Sequence, residues 1–163
     1  MGSGKGYVMR WMSQNQVFPV ESVVKIDPDH FKAAMPEWGG YLQQDRAQAG
    51  TLCHRESGFI QELCQEVSLR SRQNTWIDGS LGDSAWWSEW IAEARRRLPW
   101  YRIAIFYVYC TPAQVVARAQ QRGRATGRYV PEASLRHSID ATAEAVKVLG
   151  PLADFLAIIN NSA

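Results

Sequence analysis

The apolar positions of this chain switch between a helical and a strand period, and the switches divide it into alternating elements. Tyr7, Val8, Met9, Trp11 and Met12 predict a helix over residues 5–15, opening directly out of a glycine-rich start. Residues 20–26, Val-Glu-Ser-Val-Val-Lys-Ile, are rich in β-branched side chains and predict a strand that ends at Asp27. Pro28 starts a short helical turn through His30 and Phe31 towards Met35, stopped by Pro36. Residues 37–50, with Trp38-Gly39-Gly40 and several polar side chains, predict an irregular loop. Over 51–72, Phe59, Ile60, Leu63, Cys64 and Val67 fall on one face of an amphipathic helix.

Thr75-Trp76-Ile77 predicts a strand, with Asp78 an acid at its end and Gly79-Ser80 a turn. A helix over 84–97 follows, closed by Leu98-Pro99. Residues 101–109 form the strongest strand signal, and their nearly continuous apolar tail fits a parallel strand covered on both faces. Thr111-Pro112 caps a helix running to about residue 122, and residues 123–130, with two glycines and two arginines, predict a mobile loop. Pro131 opens a helix in which Leu135, Ile139, Ala143, Val146 and Leu149 recur about every fourth position, and residues 155–159 form a last strand. This alternation predicts an α/β fold with a doubly wound parallel sheet, organised as one domain over residues 1–163.

Composition changes that picture little. With 163 residues, 46% of them hydrophobic and 21% charged, the chain fits one globular domain with a real core. A net charge of +2 gives no reason to expect nucleic acid or a membrane as partner. No apolar run approaches the roughly 18 residues that a bilayer span needs. Cys53, Cys64 and Cys110 lack metal-ligand spacing and are expected reduced and mostly buried, which favours a cytoplasmic protein. Trp86, Trp87 and Trp90 lie at helical spacing and are expected to pack rather than to form a cage.

Candidate chemistry starts at Gly2-Ser3-Gly4-Lys5-Gly6-Tyr7, which reads as the end of a phosphate-binding P-loop. Glycines let the backbone curl so that its N–H groups face an anion, the following helix adds its positive end, and Lys5 adds a full charge. Gly6 stands where the loop's Mg²⁺-touching hydroxyl is expected. The first glycine of the full pattern, and the strand feeding it, would lie before Met1. Met1 is therefore expected to be an internal methionine of a longer reading frame, or the domain to be trimmed. The competing reading is a glycine-rich vector remnant.

Asp27 and Asp29, just after a strand, suit a ligand crevice at the carboxyl ends of parallel strands; helix capping by Asp29 with a solvated Asp27 is the alternative. Asp78 matches an acid at a strand end that orients Mg²⁺ or a substrate hydroxyl, or else an Asp-Gly turn. Arg118 and Arg122 share a helix face, and Arg128 lies across the glycine-containing loop, a set suited to closing over phosphates or to a solvated basic helix end. His54 and Glu56 open the helix over 51–72 and suit substrate binding or a plain polar helix start.

Taken in order, Gly2–Lys5, Ile26–Lys32 with its Asp-x-Asp-x-Phe-Lys block, His54–Ser57, Ile77–Ser80, Arg118 and Arg128–Pro131 resemble the zeta toxin family of P-loop kinases. The resemblance implies an ATP- or GTP-dependent kinase using Mg²⁺, acting on a small-molecule or nucleotide-sugar substrate such as a UDP-activated amino sugar. By position it implies Lys5 on the terminal phosphates and Asp29 as the base for the substrate hydroxyl. Asp78 becomes a substrate-contacting acid, and Arg118 and Arg128 sit on the γ-phosphate with Arg122 a competitor for the first role. Gly2, Ser3, Gly4, Gly6 and Tyr7 would line the nucleotide, Asp27, His54 and Glu56 the acceptor, and Asp27 or Asp78 would serve Mg²⁺. An antitoxin-like partner stays open. So do two alternatives: another small-molecule P-loop phosphotransferase, and a non-catalytic domain that binds a nucleotide or a partner.

Overall fold

The computed structural model describes residues 2–46, 48–126 and 130–162. In chain order its elements are α1 (Lys5–Gln14), β1 (Val24–Ile26), α2 (Pro28–Ala34), α3 (Trp38–Gln44), α4 (Ala49–Leu52), α5 (His54–Arg70), β2 (Thr75–Ile77), α6 (Ser84–Arg97), β3 (Ala104–Tyr109), α7 (Pro112–Thr126), α8 (Glu132–Leu149) and β4 (Phe155–Asn160). This is an α/β chain with short parallel strands. Among the described residues the strands form two two-stranded sheets, β1 with β2 and β3 with β4. Among the described residues no helix is long and apolar enough to cross a membrane. The chain divides into two compact units.

The first unit comprises Met1–Val8, Ser80–Ala119 and Pro131–Ala163. Here β3 runs parallel to β4, with Ala104 opposite Phe155 and Tyr109 opposite Asn160. The helical period of α6 and α8 places Ile91, Ala145 and Leu149 together with Ile105 in one apolar cluster, and Trp87 and Trp90 pack against it. Trp86, Trp87 and Trp90 meet edge to face, with centroids 4.7 and 5.6 Å apart, as packing residues do. Burial on β3 is deepest at Ile105 and Val108, while Phe155 and Ile158 of β4 are exposed, so the strand pair is covered less evenly than its apolar run predicts. Asp154 fastens the start of this sheet. It accepts from the Ile103 N–H at 2.8 Å and pairs with Arg95 at 3.1 Å and Arg102 at 3.4 Å.

The second unit comprises Met9–Gly79 and Gln120–Val130. Here β1 and β2 are parallel, with Val24 opposite Thr75 and Ile26 opposite Ile77, and α5 packs against α2 and both strands. Four expectations are corrected in this unit. Residues 20–22 form a 3₁₀ turn rather than strand, because the Ser22 hydroxyl and N–H both donate to the Pro19 carbonyl, at 2.9 and 3.0 Å. Within 37–50, where an irregular loop is predicted, α3 and α4 form despite the poor helix propensity of Gly39 and Gly40, and Tyr41 ties α3 to α5 by donating its hydroxyl to Glu56.

The helix predicted over 51–72 breaks at Cys53, and its apolar face is turned outward: Phe59, Leu63 and Val67 are exposed. Its buried residues are Ser57, Gln65, Ser68 and Leu69. On that inner face the Ser68 hydroxyl lies 2.6 Å from the Thr75 hydroxyl of β2, beside the buried Leu69. Finally, α7 continues through Gly123 to Thr126, four residues past its predicted end. The remainder of the predicted mobile loop, residues 127–129, lies outside the described residues. None of the three cysteines is in a disulfide, and Cys53 and Cys110 are buried.

Candidate active site

The glycine-rich start forms a tight loop before α1. Gly2 and Gly4 take φ of 75° and 86°, the left-handed region that favours glycine. The Gly4 carbonyl accepts from Tyr7 and Val8 N–H at 2.9 and 3.1 Å, so Gly4 stands at the start of the helix and Lys5 is its first residue. The first N–H groups of a helix have no intrahelical acceptor and carry the positive end of its dipole. Lys5 is half-buried there, Gly6 and Tyr7 are exposed, and Ser3 is half-buried in the loop.

Two residues from elsewhere in this unit brace the loop. The Ser3 carbonyl accepts from Asn161 Nδ2 at 2.8 Å and from the Arg118 guanidinium at a long 3.5 Å. Arg118 also donates to the Asn161 carbonyl at 3.1 Å. Arg118, singled out as a phosphate ligand, therefore lies against the loop's backbone, half-buried. Asn161 is a residue that sequence reasoning missed, for it sits in no motif. Arg122 is half-buried further along α7, and Arg128 lies outside the described residues.

The acids gather in the second unit. Asp27 and Asp78 directly follow Ile26 and Ile77, which are paired in register, and the Asp78 N–H extends the ladder by donating to the Ile26 carbonyl at 2.8 Å. Both acids thus stand at the carboxyl ends of adjacent parallel strands. Asp27, rather than Asp29, is the cap of α2: its carboxylate accepts from the Asp29 N–H at 3.1 Å, and it pairs with Lys25 at 3.4 Å. Asp29, in the first turn of α2, pairs at 3.4 Å with Lys32, whose side chain is only 10% exposed. The Asp29 carboxylate is thus held by a nearly buried cation one helical turn away.

His54 is exposed at the start of α5, and its carbonyl accepts from the Ser57 hydroxyl at 3.0 Å. Glu56 accepts from the Tyr41 hydroxyl at 3.0 Å. Bonds from its own backbone and from Tyr41 hold the Glu56 carboxyl below the usual range, and the same hydrogen bond to Glu56 raises the Tyr41 phenol. Tyr41 was missed because its segment reads as loop.

Of the groups expected to serve Mg²⁺, Gly6 offers no hydroxyl and the Asp27 carboxylate is engaged by its cap and by Lys25, while Asp78 stands at the neighbouring strand end; among the described residues no three of His, Cys, Asp and Glu converge to hold a metal. An ion arriving on a nucleotide would keep its phosphate and water ligands.

No curated protein and no solved structure matches the chain. The Zeta toxin family model, however, matches residues 1–162. That match covers the phosphate loop, the strand-end acids and the Arg118 helix together, and by it the chain belongs to the zeta toxin family, whose P-loop kinase-like members generally bind nucleotide with Mg²⁺.

Proposed function

We propose that this protein is a small kinase that moves the γ-phosphate of ATP or GTP to a hydroxyl of a small or nucleotide-linked substrate, of the UDP-amino-sugar kind. The observation that carries the reading is the loop itself, with two left-handed glycines leading straight into Lys5 at the start of α1. In this reading the triphosphate oxygens lie on the loop N–H groups, and Lys5 neutralises the terminal phosphates. Asp29 takes the proton of the acceptor hydroxyl as its oxygen bonds to the γ-phosphorus and the bond from that phosphorus to the β-bridging oxygen breaks, releasing the diphosphate. Arg118, Arg122 and Arg128 offset the charge on the transferred group. Asp78, His54 and Glu56 bind the acceptor. Asp27 supports Asp29 as the N-cap of α2, accepting from the Asp29 N–H. With this reading go the organisation P-loop kinases use, a doubly wound sheet in one domain over residues 1–163, and an antitoxin-like partner.

Lys5→Ala is expected to weaken ATP binding at least about tenfold. Asp29→Asn should bind ATP as the wild type does while losing turnover by about 10²–10⁴. Calorimetric titration together with a phosphate-transfer assay separates the two. Full turnover by Asp29→Asn would remove the base from the scheme. A second reading, a nucleotide binder without turnover, is favoured by Gly6 and by the engagement of Asp27; ATP binding without transfer to any hydroxyl acceptor would select it.

A further inference from the structure

Ser3 and Asn161 are separated by 158 positions in sequence, yet the Asn161 amide donates to the Ser3 carbonyl at 2.8 Å. The backbone of Asn161 is itself fixed: its N–H donates to the Tyr109 carbonyl at 2.7 Å, and its own carbonyl accepts from Arg118 at 3.1 Å. The amide is thus presented from a rigid position, just past the paired ends of β3 and β4. A carbonyl oxygen only accepts, so the atom facing Ser3 is the amide's NH₂.

A trans peptide is planar, with its C=O and N–H pointing in opposite directions. Holding the Ser3 carbonyl against Asn161 therefore turns the Gly4 N–H to the other side of the loop. If that carbonyl were released and swung over, its partial negative charge would face an incoming phosphate in place of a donor. The fit is close enough to demand glycine at the next position: a Cβ on Gly4 would collide with Asn161 Nδ2, and Gly4 is left-handed as well.

We propose that Asn161 is a positioning residue of the phosphate site, holding the Ser3–Gly4 peptide in the orientation that offers its N–H to the nucleotide phosphates. The proposal rests on reading Gly2–Gly6 as a phosphate loop. Asn161 touches no phosphate in this scheme; it acts through the loop, with Arg118 as the second brace.

The test is calorimetric titration of MgATP and of inorganic tripolyphosphate into the wild type, Asn161→Leu, Asn161→Ala and Lys5→Ala, with the melting temperature of each recorded. Asn161→Leu keeps the side chain's approximate size and neutrality and loses the amide, with its NH₂ donor and its Oδ1 acceptor. Both Asn161 variants are expected to bind both ligands about tenfold more weakly, by the same factor for each, with melting temperatures close to wild type. An equal factor places the loss at the phosphates rather than at the base or ribose. Wild-type affinity in a folded Asn161 variant, beside a weakened Lys5→Ala, overturns the role of Asn161 and leaves the phosphate loop standing. Unfolding of both Asn161 variants makes the residue structural and also overturns it. A wild type that binds neither ligand, or a Lys5→Ala indistinguishable from it, overturns the phosphate loop and the Asn161 role together.

Discussion

The two units differ in what they bury beside their apolar side chains. In the first, the buried cluster of Ile91, Ile105, Ala145 and Leu149 is wholly apolar, and its charges sit at the margin, as with Asp154 between Arg95 and Arg102. In the second, Lys32, Ser57, Gln65 and Ser68 are buried while Phe59, Leu63 and Val67 face outward on α5. A core of the first kind draws its stability from removing hydrocarbon from water. The second buries hydrocarbon too, Ile26 and Cys53 among it, but adds buried polar groups, of which Lys32 pairs with Asp29 and Ser68 with Thr75.

That contrast breaks most visibly in the cores. Leu149, fully buried, should cost about 2–5 kcal/mol as Leu149→Ala, whereas Phe59→Ser on the exposed face of α5 should stay within about 0.5 kcal/mol. Urea midpoints compare them directly, and equal costs would erase the distinction between the units.

Gln65 sharpens it at a smaller scale. Both polar atoms of its buried amide lack a hydrogen-bond partner among the described residues, so Gln65→Met should leave stability unchanged or raise it by up to about 2 kcal/mol. A clear loss would mean that the amide has found a partner in solution.

The smallest effect is set by pH. The Ile103 N–H, followed by Arg95 and Arg102, holds the Asp154 carboxyl below its ordinary value of 3.8. A depressed folded value means that this stabilisation is complete above 3.8 and is lost as pH falls through the lowered value. Asp154→Asn should therefore lower the melting temperature at neutral pH and flatten its decline in strong acid; parallel acid profiles for the two proteins would count against the assignment.

The first unit was the more legible of the two in the sequence, and the physics says why. Its helices bury the faces that their apolar period marks, so α6 and α8 follow from spacing alone. In α5 the same period is present but much of it faces outward, while Ser57, Gln65 and Ser68 are buried, and no periodicity reports a hydroxyl partner such as Thr75, seven positions from Ser68. Gly2–Lys5 and the acids after β1 and β2 were readable because loop chemistry and strand ends leave local signatures. Asn161 was not, since Ile159-Asn160-Asn161-Ser162 has no pattern and its meaning lies in a contact with the opposite end of the chain. Tyr41 was hidden for a related reason: the glycines beside it read as loop, and its hydrogen bond reaches fifteen positions on to Glu56.

The pairing of Ile26 with Ile77 also has a consequence for how such a chain can change length. One residue inserted into β1 or β2 would advance its acid by about 3.3 Å and turn it to the other side of the sheet. An insertion in the exposed turn at 71–74 would be absorbed before the pairing begins. Descent with insertions and deletions thus has unequal room here: the connection may drift, while the six paired positions and the acids that follow them must be inherited at a fixed count.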